Sequence, residues 1–123
     1  MDQKKILIAD DNQNIREALT YLLEDEGYSL QVAKDGADTL QKVREWLPDV
    51  LLLDVMMPEI NGYDVCRMIK NDPALQKTYI IMLTARGQAS EQALGKKAGA
   101  DEYIVKPFSP VDILSKIKNI LVK

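Results

Sequence analysis

Apolar runs and helical patterns alternate five times along the chain. Lys5 to Ala9 reads as a first strand. A helix follows from about Gln13 to Glu26, with Ile15, Ala18, Leu19, Leu22 and Leu23 on one stripe at helical spacing, and Gly27 caps it. The second strand, Ser29 to Ala33, carries the polar Gln31, which places it near a sheet edge where one face can be wet. A second helix spans Gly36 to Trp46, its stripe made by Ala37, Leu40, Val43 and Leu47, and Pro48 ends it. Val50 to Leu53 is the continuous apolar run of a strand buried on both faces, and it stops abruptly at Asp54. A third helix, about Gly62 to Asn71, buries Val65, Cys66 and Ile69 before the turn Asn71-Asp72-Pro73. Tyr79 to Leu83 is again apolar throughout and leads to Thr84. The weakest helix falls between Gln88 and Ala98, where the apolar side is mostly alanine plus Leu94 and the internal Gly95 costs about 1 kcal/mol relative to Ala. The fifth strand, Glu102 to Val105, runs into Lys106-Pro107-Phe108. The last helix has Ser109 as N-cap, Pro110 at its first position, Asp112 in its first turn and a stripe of Ile113, Leu114, Ile117, Ile120 and Leu121.

Repeated strand-helix units predict an α/β fold with a mainly parallel sheet covered on both faces. Right-handed crossovers favour a five-stranded, doubly wound sheet with its switch point beside the first strand. The 123 residues, 1–123, fit one domain with a core that needs no staple. One cysteine and no histidine rule out an internal disulfide or a Cys/His zinc site, and Cys66 reads as a small buried hydrophobe. Trp46, near its helix end, reads as packing. No apolar run is long enough to cross a bilayer and the N-terminus has no apolar signal core, so a soluble, cytoplasmic protein with no membrane partner is expected. The net charge of -3, without a basic stripe, argues against direct nucleic-acid binding.

Candidate chemistry gathers at the strand ends. The first strand ends in Asp10-Asp11-Asn12, the third in Asp54, the fourth in Thr84 and the fifth in Lys106. In a parallel sheet these four ends share the rim where ligands bind. Each alone has a plainer reading as a cap, a β-branched strand residue or a solvated lysine; their coincidence on one edge is what points to a site. Three carboxylates against one lysine disfavour joint ionisation, so a hard divalent cation is needed, and Mg2+ suits one or two carboxylates with places left for phosphate oxygens. With a cation beside it, Asp54 is a plausible nucleophile toward phosphorus. Phosphoryl transfer then asks mainly for charge neutralisation, which Lys106 and the Thr84 hydroxyl can share with the metal.

These motifs, Ile6-Leu7-Ile8-Ala9-Asp10-Asp11-Asn12, Asp54 before Met57-Pro58 and Gly62, Thr84-Ala85 and Lys106-Pro107-Phe108, make the whole chain resemble the receiver domain of bacterial two-component response regulators, chemotaxis regulators included. The resemblance implies a flavodoxin-like (βα)5 three-layer sandwich with sheet order 2-1-3-4-5. It implies Asp54 as phosphoacceptor, and Asp11, Asp54 and the backbone carbonyl of Met56 as Mg2+ ligands, with Asp10 acting through water. Lys106 is then the phosphoryl partner on a cis Lys106-Pro107 bond, Thr84 the switch hydroxyl and Tyr103 the aromatic switch. The protein would be a switch catalysing only its own phosphorylation and dephosphorylation, not an enzyme on other substrates. Because the chain has no histidine, the phosphoryl group must come from a partner histidine kinase, a phosphotransfer protein or a small phosphodonor. Output would pass to a downstream protein or output domain through the face of the 88–98 helix, the fifth strand and the last helix, a face also open to homodimerisation. Met56 and Arg86, two beyond the acceptor and the threonine, point to a long-lived phosphoryl state.

Two other readings compete. A Mg2+-dependent phosphatase with an aspartyl nucleophile needs a second acid two residues after Asp54, where this chain has Met56. A flavodoxin-like flavin binder needs a Ser/Thr/Gly-rich phosphate loop after the first strand, where Asp10-Asp11-Asn12 would repel phosphate. A receiver fold used only for docking, without phosphorylation, leaves the filled chemical positions unexplained.

Overall fold

The β-branched and leucine-rich runs form the strands of a single parallel sheet, and the amphipathic segments between them cover its two faces. The computed structural model describes residues 3–57, 60–84, 99–105 and 109–121. The strands are β1 (Lys5–Ala9), β2 (Ser29–Ala33), β3 (Val50–Asp54), β4 (Tyr79–Thr84) and β5 (Glu102–Val105). The helices among the described residues are α1 (Gln13–Glu24), α2 (Gly36–Trp46), α3 (Gly62–Lys70) and α4 (Pro110–Leu121). Strand order is β2-β1-β3-β4-β5, all neighbours parallel, which is the expected doubly wound arrangement. β2 lies at the edge and exposes Gln31, as its composition predicted. The expected helix between Gln88 and Ala98 falls outside the described residues.

Alternate residues of each central strand go to opposite layers. Leu7, Ala9, Leu51, Leu53, Ile80 and Met82 pack with Leu40 and Val43 of α2 and with Val65, Cys66 and Ile69 of α3. Ile6, Ile8, Val50, Leu52, Ile81 and Leu83 pack with Leu19 and Leu23 of α1 and with Ile113 and Ile117 of α4. β3 is buried along its whole length, so each of its leucines contributes on the order of 2 kcal/mol of transfer free energy. Cys66 is fully buried, and that burial pushes its thiol up to about 11, which makes it packing material and no nucleophile. Trp46 packs half-buried on the α2/α3 side and carries Lys5 Nζ 5.7 Å from its ring centroid.

Helix boundaries and stripes differ from expectation in five places. α1 stops at Glu24 rather than Glu26, because Glu26 and Gly27 N–H turn back to Leu23 and Glu24 carbonyls in tight i to i-3 bonds. Gly27 then reverses the chain at φ 87°. α3 stops at Lys70 with Asn71 as its cap. Ala18 and Ala37 are exposed, one position off the buried stripes of their helices. Leu47 is half exposed, and as the cap of α2 it adopts φ 51°, since the following Pro48 bars it from the helical region.

Candidate functional site

The parallel register brings the acids together. Ala9 pairs with Leu53, so Asp10 follows one strand where Asp54 ends its neighbour. Asp54 itself pairs with Leu83, the residue before Thr84, and Thr84 pairs with Val105, the residue before Lys106. One carboxylate oxygen from each of Asp10, Asp11 and Asp54 lies within 4.8 Å of the others. Asp10 and Asp54 are buried, while Asp11 faces solvent.

Local hydrogen bonds aim these groups. The Met56 N–H donates to Asp54 Oδ1 at 3.2 Å, fixing the carboxylate over the start of the β3–α3 loop. In that loop Val55 and Met57 turn inward and Met56 outward, at 67% exposure. Asp10 is held at its amide by the Ala33 carbonyl (3.2 Å) and at Oδ1 by the Asn12 N–H (2.9 Å). Asn12 in turn caps α1 by accepting from the Asn14 and Ile15 amides. Arg16 Nη1 donates to the Asp10 carbonyl at 2.7 Å. Beneath Asp54 the first residue of α3 is Gly62, and a Cβ there would stand 2.3 Å from the Asp54 carbonyl oxygen and 2.8 Å from Val55 Cα. Only glycine lets α3 approach so closely.

Three anions at this range repel. At 4.8 Å each pair costs about 1–3 kcal/mol for effective dielectric constants between those of water and a protein surface. The three carboxylates make an all-oxygen donor set, two of them withdrawn from solvent, which suits a hard divalent cation such as Mg2+. Tyr103 sits half-buried in β5 and packs on the α2/α3-side core. Thr84 ends β4 on the same rim. Lys106 and Pro107, with the expected cis bond, and Arg86 fall outside the described residues. Gly62 and Arg16 are the site-supporting residues whose roles sequence reasoning missed: the glycine stood in the motif without a partner, and the arginine lay on the polar side of a helix.

A parallel 2-1-3-4-5 sheet with acids gathered beside its switch point is the architecture of signal receiver modules. The chain belongs to the response regulator receiver domain family, whose model matches residues 6–118. Among curated relatives, the DNA-binding response regulator MtrA of Mycobacterium tuberculosis is 40% identical over 116 residues, 94% of this chain and 50% of that protein. The transcriptional regulatory protein CreB of Escherichia coli is 36% identical over 122 residues, 98% of this chain and 52% of that one. The chain thus spans about half the length of the curated relatives it matches. A solved response regulator structure from Chloroflexus aurantiacus superposes with a TM-score of 0.91 at 37% identity, covering 99% of this chain and 100% of that one. The BeF3-activated receiver domain of DrrB gives 0.88 at 34% identity, again over 99% and 100%. The fold is therefore that of chemotaxis-regulator-like receivers, and the chain is a two-component receiver domain. No helix among the described residues is long and apolar enough to cross a membrane.

Proposed function

We propose that the chain, as one receiver domain over residues 1–123, is a phosphorylation-dependent switch whose acceptor is Asp54. The observation that carries this reading is the gathering of Asp10, Asp11 and Asp54 within 4.8 Å at the rim of the sheet. Asp11, Asp54 and the Met56 carbonyl would hold Mg2+, with Asp10 acting through water. The ion supplies positive charge for the phosphoryl oxygens and cancels the repulsion among the acids.

An Asp54 carboxylate oxygen attacks phosphorus, forming the acyl phosphate P–O bond as the donor bond breaks. With a phosphohistidine donor the electron pair leaves on the imidazole nitrogen; with acetyl phosphate it leaves on acetate. Alignment comes in part from the Met56 amide, which fixes one Asp54 oxygen. Lys106 pairs with the incoming phosphoryl group and Thr84 supplies a hydroxyl to it. Thr84 and Tyr103 lie on adjacent strands, Thr84 ending β4 and Tyr103 in β5, so displacement at the first reaches the second through the sheet. The changed face, made by segment 88–98, β5 and α4, then engages a partner protein or output domain, or a second copy of the chain. The relatives named as DNA-binding and transcriptional regulators support an output of that kind, exerted outside this domain. The donor is a partner histidine kinase or phosphotransfer protein.

Met56 cannot serve as the general acid of an aspartyl phosphatase, and its side chain points to solvent, so turnover of free phosphate esters is not part of the reading. Intact-mass measurement after acetyl phosphate and Mg2+ tests the proposal. Wild type is expected to gain one phosphoryl group and Asp54→Ala none. Equal labelling of both would overturn the assignment.

A further inference from the structure

We propose that Arg16 is a positioning residue for the acid cluster, setting its cation affinity through the backbone of Asp10 and not through its own charge. The inference rests on the cation-assisted reading above and adds to it. Asp10 is pinned at its amide by Ala33 and at its carboxylate by Asn12. The Asn12 bond closes an Asx turn around the Asp10–Asp11 peptide, a single side-chain hydrogen bond that still lets the plane tilt. The Arg16 guanidinium holds the plane from its carbonyl side, donating to the Asp10 carbonyl at 2.7 Å from the first turn of the helix. That plane decides where the Asp11 Cα, and hence its carboxylate, stands relative to Asp54. Asp11 is exposed, so no wall of side chains would otherwise hold it. Arg16 is itself half-buried, its backbone is locked in the first turn of α1 by the bond from its N–H to the Asn12 carbonyl at 3.1 Å, and the same asparagine caps that helix. The cluster and its support thus form one local unit running from β1 into α1.

Two effects of removing Arg16 have opposite signs, which makes the idea decidable. Losing a nearby positive charge strengthens attraction for a cation and tightens binding. Losing the anchor lets the Asp10–Asp11 peptide rotate and weakens it, as changes to the groups that orient metal ligands commonly do by ten- to a hundredfold. The positioning role predicts weakening.

The test is Mg2+ titration calorimetry at fixed ionic strength on the whole chain, for wild type, Arg16→Met and Arg16→Lys, with amide exchange of Asp11 and Asn12 followed without metal. Expected are a roughly tenfold weaker Mg2+ affinity and faster exchange at both amides in Arg16→Met. Arg16→Lys, which keeps a donor able to reach the carbonyl, is expected to recover most of both. Unchanged or tighter Mg2+ binding by Arg16→Met, or unchanged exchange, would overturn the inference while leaving the switch reading intact. Absence of Mg2+ binding by wild type would overturn both. Should Arg16→Met not fold, Arg16→Gln read in the same two ways decides the matter.

Discussion

At the scale of the residue, Asp54, the proposed acceptor, depends on a glycine that touches no ligand. Gly62 packs so tightly under Asp54 that a methyl group would overlap backbone atoms, which cannot swing aside as a side-chain tip can. Gly62→Ala is therefore expected to cost about 2–3 kcal/mol of stability, at the upper end for overpacking, and to slow phosphorylation of whatever fraction is folded. Gly27→Ala makes the comparison sharp. It has open space around it but sits at φ 87°, so it should cost about 1 kcal/mol and leave the phosphorylation rate alone. Urea denaturation with phosphorylation kinetics checks both; equal rates in the two variants would contradict the argument. The acids were legible in the sequence because each ends an apolar run. The glycine's partner was not, since a contact with the backbone eight positions earlier leaves no mark in periodicity. Arg16 was hidden for a related reason: its bond runs to a backbone carbonyl, and any residue type has one.

At the scale of the element, strand limits were the most legible feature, because a parallel strand buried on both faces is a block of apolar residues with polar ends. β1, β2 and β5 keep their expected limits, and β3 and β4 each take in the polar residue that follows the run. Helix ends were less so, as the early stop of α1 shows: Asp25 and Glu26 are compatible with helix, and only the tightened last turn excludes them. Ties between distant elements were invisible. The start of β4, the start of β5 and α4 are joined by Tyr79 Oη donating to Glu102 at 2.9 Å and Lys116 Nζ donating to the same carboxylate at 2.6 Å. Burial first, and then the bond to Glu102, pushes the Tyr79 phenol up to about 12, while the Lys116 bond holds the Glu102 carboxyl below its ordinary range. A raised phenol pKa means that the folded form binds the proton more tightly. Its contribution is thus complete below pH 10, the ordinary value, and is lost as pH rises toward about 12. Between those limits wild type should lose more stability than Tyr79→Phe, measured by urea midpoints at matched ionic strength. Parallel losses in the two proteins would show that the tie is not sensed by folding.

At the scale of the whole molecule, sheet order and register convert two separate strand ends into one electrostatic problem. β3 sits between β1 and β4, so Asp54 cannot avoid Asp10, and Asp11 follows Asp10 onto the exposed lip of the same rim. The fold therefore gathers like charges whose repulsion a bound cation would relieve. Two consequences follow for global stability. Without metal, Asp11→Asn removes one of three like charges from an exposed position and should stabilise the protein by about 1 kcal/mol. With metal, wild type should gain by mass action, about 1.4 kcal/mol at a Mg2+ concentration ten times the dissociation constant, and Asp11→Asn should gain less because it has lost a ligand. The order of the two proteins is thus expected to narrow or invert between EDTA and excess Mg2+. Urea denaturation in both conditions, at constant ionic strength to hold general screening fixed, reads the outcome directly. A wild type indifferent to Mg2+, or a metal-free Asp11→Asn less stable than wild type, would mean that the rim does not store this repulsion and that the acids are gathered for another reason.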